Sequence, residues 1–324
     1  DSNLYDLPLY ILKIKNGDIE QSLEIFKTQR SFLNLNHLNH LIKFWIDESA
    51  NKNKVISERY FQNTSIHKLL ILENFYHPEK LIKIADLIYN NNNLNSHDTL
   101  LLAGFYFRLK NKNKTNKIII SKLSNQFDKH SIIKNFSRQE NIYNKVLTLQ
   151  HILASKIYNL VNDNNLKLYN NHSYQKILLE FSLFLNPKMD ISKYSLAEIY
   201  NLENTKHIAI KNLNSISSDS FFFLAASLKR LTMKKTSRID KKYKDLLFKT
   251  TKLWPKNKFV LYKLANYHKL KKEYSKSLNI YKRILKENEA TDRDLFLYAS
   301  NLDKLGKWNE ARELFLKILN KNQK

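Results

Sequence analysis

The chain has 324 residues, of which 43% are hydrophobic, so it is long and apolar enough to bury a core. The absence of cysteine excludes disulfide bonds, Cys-ligated zinc and thiolate nucleophiles, and the low content of Gly (3) and Pro (4) favours helices over strands. The net charge of +25 comes mostly from Lys, whereas bidentate phosphate and base contacts favour Arg, so we interpret it as a solvated surface, with a selected nucleic-acid-binding face as the alternative.

The first predicted elements are two helices in "LPLYILKIKNGDIEQSLEIFKTQ", residues 7–29. The dipeptide Gly17–Asp18 predicts the turn between them, because Gly tolerates the backbone conformations that tight turns need. Ser22 and Phe26 place a small and an aromatic residue four positions apart in the second helix, and this spacing recurs further along the chain.

The segment from Leu35 to Phe136 is predicted to form further amphipathic helices, for example at 100–110 and 117–127. Two Asn-rich joints separate them, "IYNNNNLNSHD" (88–98) and "KNKNKTNK" (110–117). We predict that both joints are loops, because the Asn side chain competes with the hydrogen bonds of a helical backbone.

A pattern of aromatic, small, aromatic and aliphatic residues occurs twice near the carboxyl terminus, 34 residues apart (308 − 274). This period predicts two helix-turn-helix units, which begin at Lys258 and Asp292 when the small residue is counted as position 20. The matched pairs are Tyr274 and Trp308, Ser277 and Ala311, Tyr281 and Phe315, Ile284 and Ile318, and Leu285 and Leu319.

The same register extends towards the amino terminus. A unit beginning at Asp190 has the expected small residues, Ala197 and Ala209, and units beginning at Lys156 and Leu224 each have Pro at position 32, where one unit ends. The unit at Leu224 departs from the pattern, since Leu231 and Tyr243 are bulky where small residues are expected, and its turn within 232–242 is predicted to be shifted.

The segment from about residue 141 to residue 324 resembles tetratricopeptide repeat (TPR) proteins, and its closing stretch resembles long bacterial arrays of such repeats. The resemblance implies an all-α fold, an α-solenoid of antiparallel helix pairs that forms a right-handed superhelix. Residues 1–140 would be degenerate TPR-like repeats, continuous in a single solenoid with a clearer array at 141–324. The residues that carry the resemblance are Pro187, Ala197, Ala209, Pro255, Ala265, Tyr274, Tyr281, Ala299, Gly306, Trp308, Ala311 and Phe315.

Catalytic motifs are missing from the sequence. Gly occurs only at positions 17, 104 and 306, so neither a phosphate-binding loop, nor a dinucleotide-binding turn, nor a nucleophile elbow can be assembled. His37 and His40 could share a helical face as metal ligands, but no further ligand motif accompanies them, and we interpret them as structural. The three Trp are interpreted as core or repeat-junction residues, with Trp308 at a repeat packing position. We therefore predict a protein that is not an enzyme and holds no metal or cofactor.

The family resemblance implies that the first helix of each unit lines a concave, partner-binding groove. Positions 2, 5, 9 and 12 to 13 of a unit would then point into the groove, and we take positions 5, 9 and 12 of three units as the residues that contact a peptide or protein partner. The alternative is that the aromatic residues at position 5 only support neighbouring helices. The lining positions are Tyr194, Glu198 and Asn201 in one unit, Tyr262, Asn266 and Lys269 in another, and Phe296, Ser300 and Asp303 in the last.

The function expected from this resemblance is a non-enzymatic scaffold or adaptor that binds a protein or peptide through the concave face. The first alternative is a nucleic-acid-binding helical repeat that uses its Lys-rich surface, and the second is an appendage of an enzyme whose catalytic part lies elsewhere. The acidic-tail clamp found in part of the family is disfavoured, since Tyr262 stands where that clamp has Lys.

Further expectations concern location and assembly. No run of about 18 apolar residues is present, so no transmembrane segment is expected. The last predicted helix, 309–319, has no evident capping helix after it, which leaves end-to-end self-association open. Composition does not distinguish the cytoplasm from the cell envelope.

Overall fold

The computed structural model describes residues 6–27, 36–51, 56, 61, 64–90, 94–123, 129–136, 143, 145–161, 171–233, 241–287 and 290–322. Within these ranges the regular structure is entirely helical and no strand occurs, so the predicted all-α class is confirmed. None of the helices described there is long and apolar enough to cross a bilayer. The chain divides into a first compact unit, Asp1–Phe223, and a second, Leu224–Lys324.

The first unit contains most of the helices, and short polar turns or the undescribed segments join them. One 3-10 turn, Pro78–Leu81, precedes the fifth helix. The helices are α1 (Asp6–Asn16), α2 (Ile19–Lys27), α3 (Asn36–Ala50), α4 (Ile66–Leu72), α5 (Ile82–Asn90), α6 (Ser96–Arg108), α7 (Lys112–Lys122), α8 (Lys129–Phe136), α9 (Leu149–Val161), α10 (His172–Leu185), α11 (Asp190–Leu202) and α12 (Lys206–Asn214).

The second unit is built from longer helices in sequence order. The first of them begins at the last residue of the first unit. Its helices are α13 (Phe223–Met233), α14 (Lys241–Leu253), α15 (Lys258–Leu270), α16 (Tyr274–Glu287), α17 (Asp292–Lys304) and α18 (Trp308–Asn322). The joint for which a shifted turn is predicted lies mostly at 234–240, outside the described residues.

Neighbouring helices pack pairwise, as in a helical repeat: α1 with α2, α6 with α7, α9 with α10, α11 with α12, α15 with α16, and α17 with α18. The small residues of the predicted pattern are buried, which lets the backbones of the two helices approach closely. Ser277 stands where the next unit has Ala311, and its buried hydroxyl donates to the Ala265 carbonyl at 3.0 Å across the α15–α16 pair. The buried small residues are Ala197, Ala209, Ala265, Ser277, Ala299 and Ala311.

The turn inside five of these pairs has the same backbone geometry. A backbone N–H after the turn donates to the carbonyl five residues earlier at 2.9 to 3.0 Å, and the residue before the donor has a φ between 58° and 88°. This is the Schellman arrangement, which satisfies the last carbonyls of a helix. The donor and acceptor pairs are Asp18 and Lys13, Asn111 and Tyr106, Thr205 and Tyr200, Glu273 and His268, and Lys307 and Leu302.

Helix starts follow the predicted register over much of the carboxyl-terminal half. The helices α11, α15 and α17 begin at Asp190, Lys258 and Asp292, so the last two starts are 34 residues apart (292 − 258). Further towards the amino terminus the register shifts. A unit at Lys156 predicts a first helix from that residue, whereas α9 already begins at Leu149.

The prediction of a loop at 110–117 is wrong for most of that segment. Only Lys110 and Asn111 form the turn, and α7 begins at Lys112. The Asn111 side chain accepts a hydrogen bond from the Lys114 backbone N–H at 3.0 Å, so this Asn starts a helix instead of preventing one. Thr115 then donates to the Ala103 carbonyl, the same cross-pair contact that Ser277 makes in the second unit.

The first unit also contains contacts between helices far apart in sequence. Lys15 of α1 donates to the Leu185 carbonyl at the end of α10 at 3.3 Å, and both α3 and α4 pack against α9. Such contacts are not expected in a repeat array in which each unit contacts only its neighbours. The amino-terminal helices therefore pack back onto α9 and α10.

A buried ion pair joins α6 to the turn after α4. Arg108 donates two hydrogen bonds of 2.6 Å to the Glu73 carboxylate and a third, of 2.7 Å, to the Tyr143 carbonyl. The Tyr143 backbone also lies directly against Gly104, where the α6 backbone has no side chain in the way. This contact fixes Tyr143 in the core of the first unit.

A chain of neutral polar groups continues inward from Tyr143. Its hydroxyl is 3.0 Å from His97 Nδ1, His97 Nε2 is 2.8 Å from Ser155 Oγ, and Ser155 Oγ is 3.2 Å from His67 Nε2. All four residues are buried, and each hydrogen bond satisfies a group that would otherwise be costly to bury. Beside this chain, Asn159 donates to both oxygens of buried Asp98 at 3.0 Å.

Candidate functional site: the side-chain stripes of α15 and α17

Two neighbouring helices of the second unit each present a regular row of side chains. On both helices the row follows the spacing i, i+3, i+7, i+10, which places its members on one helical face. We call these rows the α15 stripe and the α17 stripe. The α15 stripe is Phe259, Tyr262, Asn266 and Lys269, and the α17 stripe is Arg293, Phe296, Ser300 and Asp303.

Side-chain contacts hold the two stripes side by side. At one end, the Tyr262 hydroxyl donates to Asp294 Oδ1, and the Arg293 guanidinium lies 5.7 Å from the centre of the Tyr262 ring. At the other end, Lys269 Nζ donates to Ser300 Oγ at 3.4 Å. Because the contacts lie at both ends, the stripes run in the same direction and form one surface.

Asp294 connects α15 to the start of α17. It is fully buried, lies 2.7 Å from Lys258 Nζ, and forms a capping box with Thr291. Burial opposes its ionisation, but hydrogen bonds from Lys258, Tyr262 and Thr291 lower the pKa of its carboxyl to about 2. Burial and the same carboxylate raise the pKa of Tyr262 above its ordinary value. Asp294 is therefore ionised at neutral pH and attracts donors from α15.

Among the residues predicted to line a groove, Tyr262 has a structural contact of its own. Its ring lies 6.3 Å from that of Tyr281 on α16, and its hydroxyl is already bonded to α17. In the second unit this contact matches the alternative in which a position-5 ring supports its neighbours. Asn266, Lys269 and Ser300 are half-buried, and Asp303 is exposed.

The exposed aromatic surface of the stripes comes from Phe259 and Phe296. Phe259 is 61% exposed and Phe296 is 53% exposed, with the Phe296 ring 5.6 Å from Phe315 on α18. Phe259 and Arg293 stand at position 2 of their units, which the resemblance assigns to the groove, but the predicted lining residues do not include them. Position 2, which lies three residues before position 5 on the same helical face, was the signal that could have included them.

Lys263 stands next to the stripes and makes the surface basic. Burial lowers the pKa of its ammonium group, and the charge of Arg293 lowers it further. No ion pair links Lys263 or Arg293 to a carboxylate in the described part of the chain. The two cations would therefore gain from an anionic group placed beside the stripes.

The corresponding row in the first unit lies on α11. Tyr194, Glu198 and Asn201 are all half-buried there. Burial and the nearby Glu198 carboxylate raise the pKa of Tyr194 to about 12. Polar groups dominate this row, and it has no exposed aromatic ring.

The structure also places two features noted in the sequence, Trp308 and the histidine pair His37 and His40. Trp308 is 70% exposed, so the prediction of a packed junction residue is wrong. Its counterpart Tyr274 is half-buried, whereas no described helix covers the outer side of α18 at Trp308. His37 and His40 are exposed on α3, and no group of three potential metal ligands occurs among the residues that the structure describes.

No protein-family model matches the chain, and no curated protein matches its sequence. The helix pairs and the stripes of α15 and α17 are therefore the features from which a function can be inferred.

The link between the stripes has a measurable energy. We expect Tyr262→Phe to lower the free energy of unfolding of the second unit by about 1.5 kcal/mol, because the hydroxyl donates to a charged, buried acceptor. Urea denaturation would measure this, with Tyr298→Phe on α17 as the matched control, since no hydrogen bond joins the Tyr298 hydroxyl to a described residue. Equal losses in both variants would contradict a stabilising link from Tyr262 on α15 to Asp294 on α17.

Proposed function

We propose that the protein is a TPR-like helical scaffold that binds a peptide or protein segment along the stripes of α15 and α17. The observation that carries the proposal is the pair of exposed rings, Phe259 and Phe296, on adjacent first helices that Tyr262 and Lys269 hold in register. The scaffold binds its partner and does not transform it.

Three features support the repeat part of the proposal. The small residues of the 34-residue pattern are buried between paired helices, the Schellman turn recurs inside five pairs, and helix starts recur at the predicted spacing. Stacked helix pairs leave one side of their first helices uncovered, and in the proposed superhelix this is the concave side, on which the stripes lie. The expected superhelix and its concave groove belong to this proposal.

The chemistry of the stripes indicates what a partner must offer. Exposed aromatic rings act as anchors for apolar side chains, and they lose little conformational entropy on binding. Lys263, Lys269 and Arg293 place positive charge around the rings, with Asp303 as the one carboxylate of the two stripes. A fitting partner is a segment with apolar anchors flanked by acidic residues.

Selection from a displayed peptide library against the full chain would test the proposal. We expect enriched peptides with apolar and acidic positions, and we expect their affinity for a Phe259→Ser/Phe296→Ser double variant to fall about 30-fold, as for the loss of an interface hot spot. Both rings are exposed, so the variant should keep its helical circular dichroism.

The matched control is Phe248→Ser, which removes a 43% exposed ring from α14, away from both stripes. Its affinity for the selected peptides should equal that of the unaltered chain. Peptides that bind the double variant as tightly as the unaltered protein would show that the stripes are not the docking surface.

A further inference from the structure

The positive charge of the protein is concentrated in its second unit. Residues 224–324 contain 27 Lys and Arg against 10 Asp and Glu, a net charge of +17 over 101 residues. Residues 1–223 contain 28 Lys and Arg against 20 Asp and Glu, a net charge of +8. A uniform composition bias would distribute the charge in proportion to length, so the second unit has a basic character of its own.

Much of this charge lies on the outer side of α14. Lys241, Lys244, Phe248 and Lys252 follow the spacing i, i+3, i+7, i+11 and are all exposed. Lys242 and Lys249 flank this row and are exposed as well. The same side of α14 has one carboxylate, Asp245, so its charge is strongly positive.

A second basic row lies on the outer side of α16. Lys276, Arg283 and Lys286 are exposed at i, i+7 and i+10, and Lys282 is exposed beside them. Glu273 lies 3.3 Å from Lys276 at the start of the helix. The remaining three cations lie further along the helix, which ends at Glu287.

The two rows belong to one surface. The buried sides of α14 and α16 share a core cluster with α15, and Arg283 of α16 donates to the Pro255 carbonyl just after α14 at 3.0 Å. We call this surface the basic face. It consists of Lys241, Lys242, Lys244, Lys249 and Lys252 on α14 and Lys276, Lys282, Arg283 and Lys286 on α16.

The charge of the basic face is largely uncompensated. No ion pair joins Lys241, Lys252, Lys282 or Lys286 to a carboxylate in the described ranges. Neighbouring cations repel one another and lower the stability of the folded unit, and a partner with closely spaced negative charges reverses this effect. The charge pattern is therefore complementary to a polyanion.

We propose that the basic face binds the phosphate backbone of duplex nucleic acid without reading its sequence. From Lys241 to Lys252 the cations of α14 extend over about 16 Å, at 1.5 Å per residue, and a duplex offers about ten phosphates over that length. Eight of the nine cations are Lys, which meets phosphates as point charges and does not favour the bidentate base contacts of Arg.

Two competing partners fit the basic face less well. Single-stranded nucleic acid stacks its bases on several aromatic side chains, whereas the exposed side of α14 and α16 has one such ring, Phe248. An anionic membrane surface would be met by several apolar side chains that insert between the cations, whereas the large hydrophobic side chains exposed on α14 are Phe248 and Leu253, and none is exposed among the described residues of α16. The site is separate from the stripes of α15 and α17, so this proposal stands apart from peptide binding.

Fluorescence anisotropy with a labelled 20-base-pair duplex of arbitrary sequence would test the proposal on the full chain. We expect binding that weakens steeply with salt, with a log-log slope of about −4 or steeper for at least four or five phosphate contacts. The variant Lys241→Gln/Lys252→Gln/Lys282→Gln/Lys286→Gln should bind about 50-fold more weakly at 0.1 M salt if two of these contacts are lost, and its slope should be shallower by about 2.

The matched control is Lys80→Gln/Lys83→Gln/Lys206→Gln/Lys211→Gln, which removes the same charge from exposed positions of the first unit. Its affinity and slope should stay close to those of the unaltered chain, and both variants should keep their helical circular dichroism. Equal weakening in both variants would overturn the assignment to the basic face. Absence of duplex binding at low salt, or tighter binding to single strands or to phosphatidylserine vesicles, would overturn the partner class.

Discussion

The variant Gly104→Ala is expected to destabilise the first unit by about 3 kcal/mol or more, although Ala is the better helix former. A Cβ at this position of α6 would stand 1.9 Å from the Tyr143 carbonyl oxygen and 2.8 Å from its carbon, and both atoms belong to the backbone. Tyr143 must then retreat, which breaks the hydrogen bonds to Arg108 and His97 inside the core.

The sign of the effect makes the experiment decisive. On helix propensity alone, Gly104→Ala would raise the free energy of unfolding by about 1 kcal/mol. Urea denaturation, with hydrogen exchange at the amides of α6 and α9, would separate the two outcomes. A stabilised Gly104→Ala variant would mean that Tyr143 does not pack against α6.

A second glycine supplies the control. Gly17 has a φ of +88°, and a Cβ there would meet no atom within 4 Å. We expect Gly17→Ala to cost about 1 kcal/mol from backbone strain alone. The excess loss in Gly104→Ala over Gly17→Ala then measures the clash with Tyr143.

The helix pairs of the second unit could be predicted from the sequence because each depends on local contacts. Ala265 and Ser277 meet inside one helix pair, only 12 residues apart, so a small residue is needed at both positions whatever the rest of the chain does. The 34-residue pattern records this requirement once per pair, and α15 and α17 begin where the pattern predicts.

The core of the first unit could not be predicted in this way. His67, His97 and Ser155 meet in space although His67 and Ser155 are 88 residues apart, and a single sequence gives no pairing signal over that distance. The sequence pattern of their helices is that of ordinary amphipathic segments, for which polar residues would be expected to face water. The packing of α1 against α10 likewise depends on how the whole unit folds, not on a local pattern.

The candidate site could be predicted from the sequence only in part. The repeat positions implied by the TPR resemblance put Tyr262 and Lys269 on one face of α15 and Phe296 and Ser300 on one face of α17. The role of Tyr262 depends on Asp294, which is buried and bonded to Lys258, Tyr262 and Thr291, and this burial cannot be predicted from the spacing. The spacing therefore indicates which faces the residues share, while tertiary packing decides which rings remain exposed to a partner.

The first unit is expected to lose stability as the pH falls from 7 to 5, because two neutral histidines are buried in it. Burial lowers the pKa of His97 to about 3, and burial, together with Lys156 and His97, lowers the pKa of His67. In the unfolded chain both rings titrate near their ordinary pKa of about 6.5.

The sign follows from proton uptake. Between pH 6.5 and about 3 the unfolded chain binds a proton at His97 that the folded chain does not, so acid favours unfolding through this window. At pH 5 the loss from His97 alone is about 2 kcal/mol, from 1.5 pH units at 1.36 kcal/mol each, and His67 adds a loss of the same sign.

Asp98 opposes this trend. Burial raises the pKa of its carboxyl to about 6 against hydrogen bonds from Asn159 and the charge of Lys156, so the folded chain takes up this proton first. The stability that Asp98 costs at neutral pH is recovered as the pH falls from 6 towards 4, by about 1.4 kcal/mol at pH 5. The histidines still dominate, since there are two of them and their window opens at higher pH.

Urea denaturation at pH 7.5 and pH 5, followed by hydrogen exchange at the amides of α6 and α9, would measure the balance. We expect His97→Gln to be less stable than the unaltered chain at pH 7.5, because Gln does not reproduce the bonds to Tyr143 and Ser155, but to lose about 2 kcal/mol less on acidification. Asp98→Asn should lose more stability on acidification than the unaltered chain. His37→Gln, at an exposed site, should lose the same amount as the unaltered chain. If the unaltered protein and His97→Gln lose the same stability between the two pH values, His97 is not held neutral in the folded state. The buried hydrogen-bonded groups from Tyr143 to His67 would then not be what makes the first unit sensitive to acid.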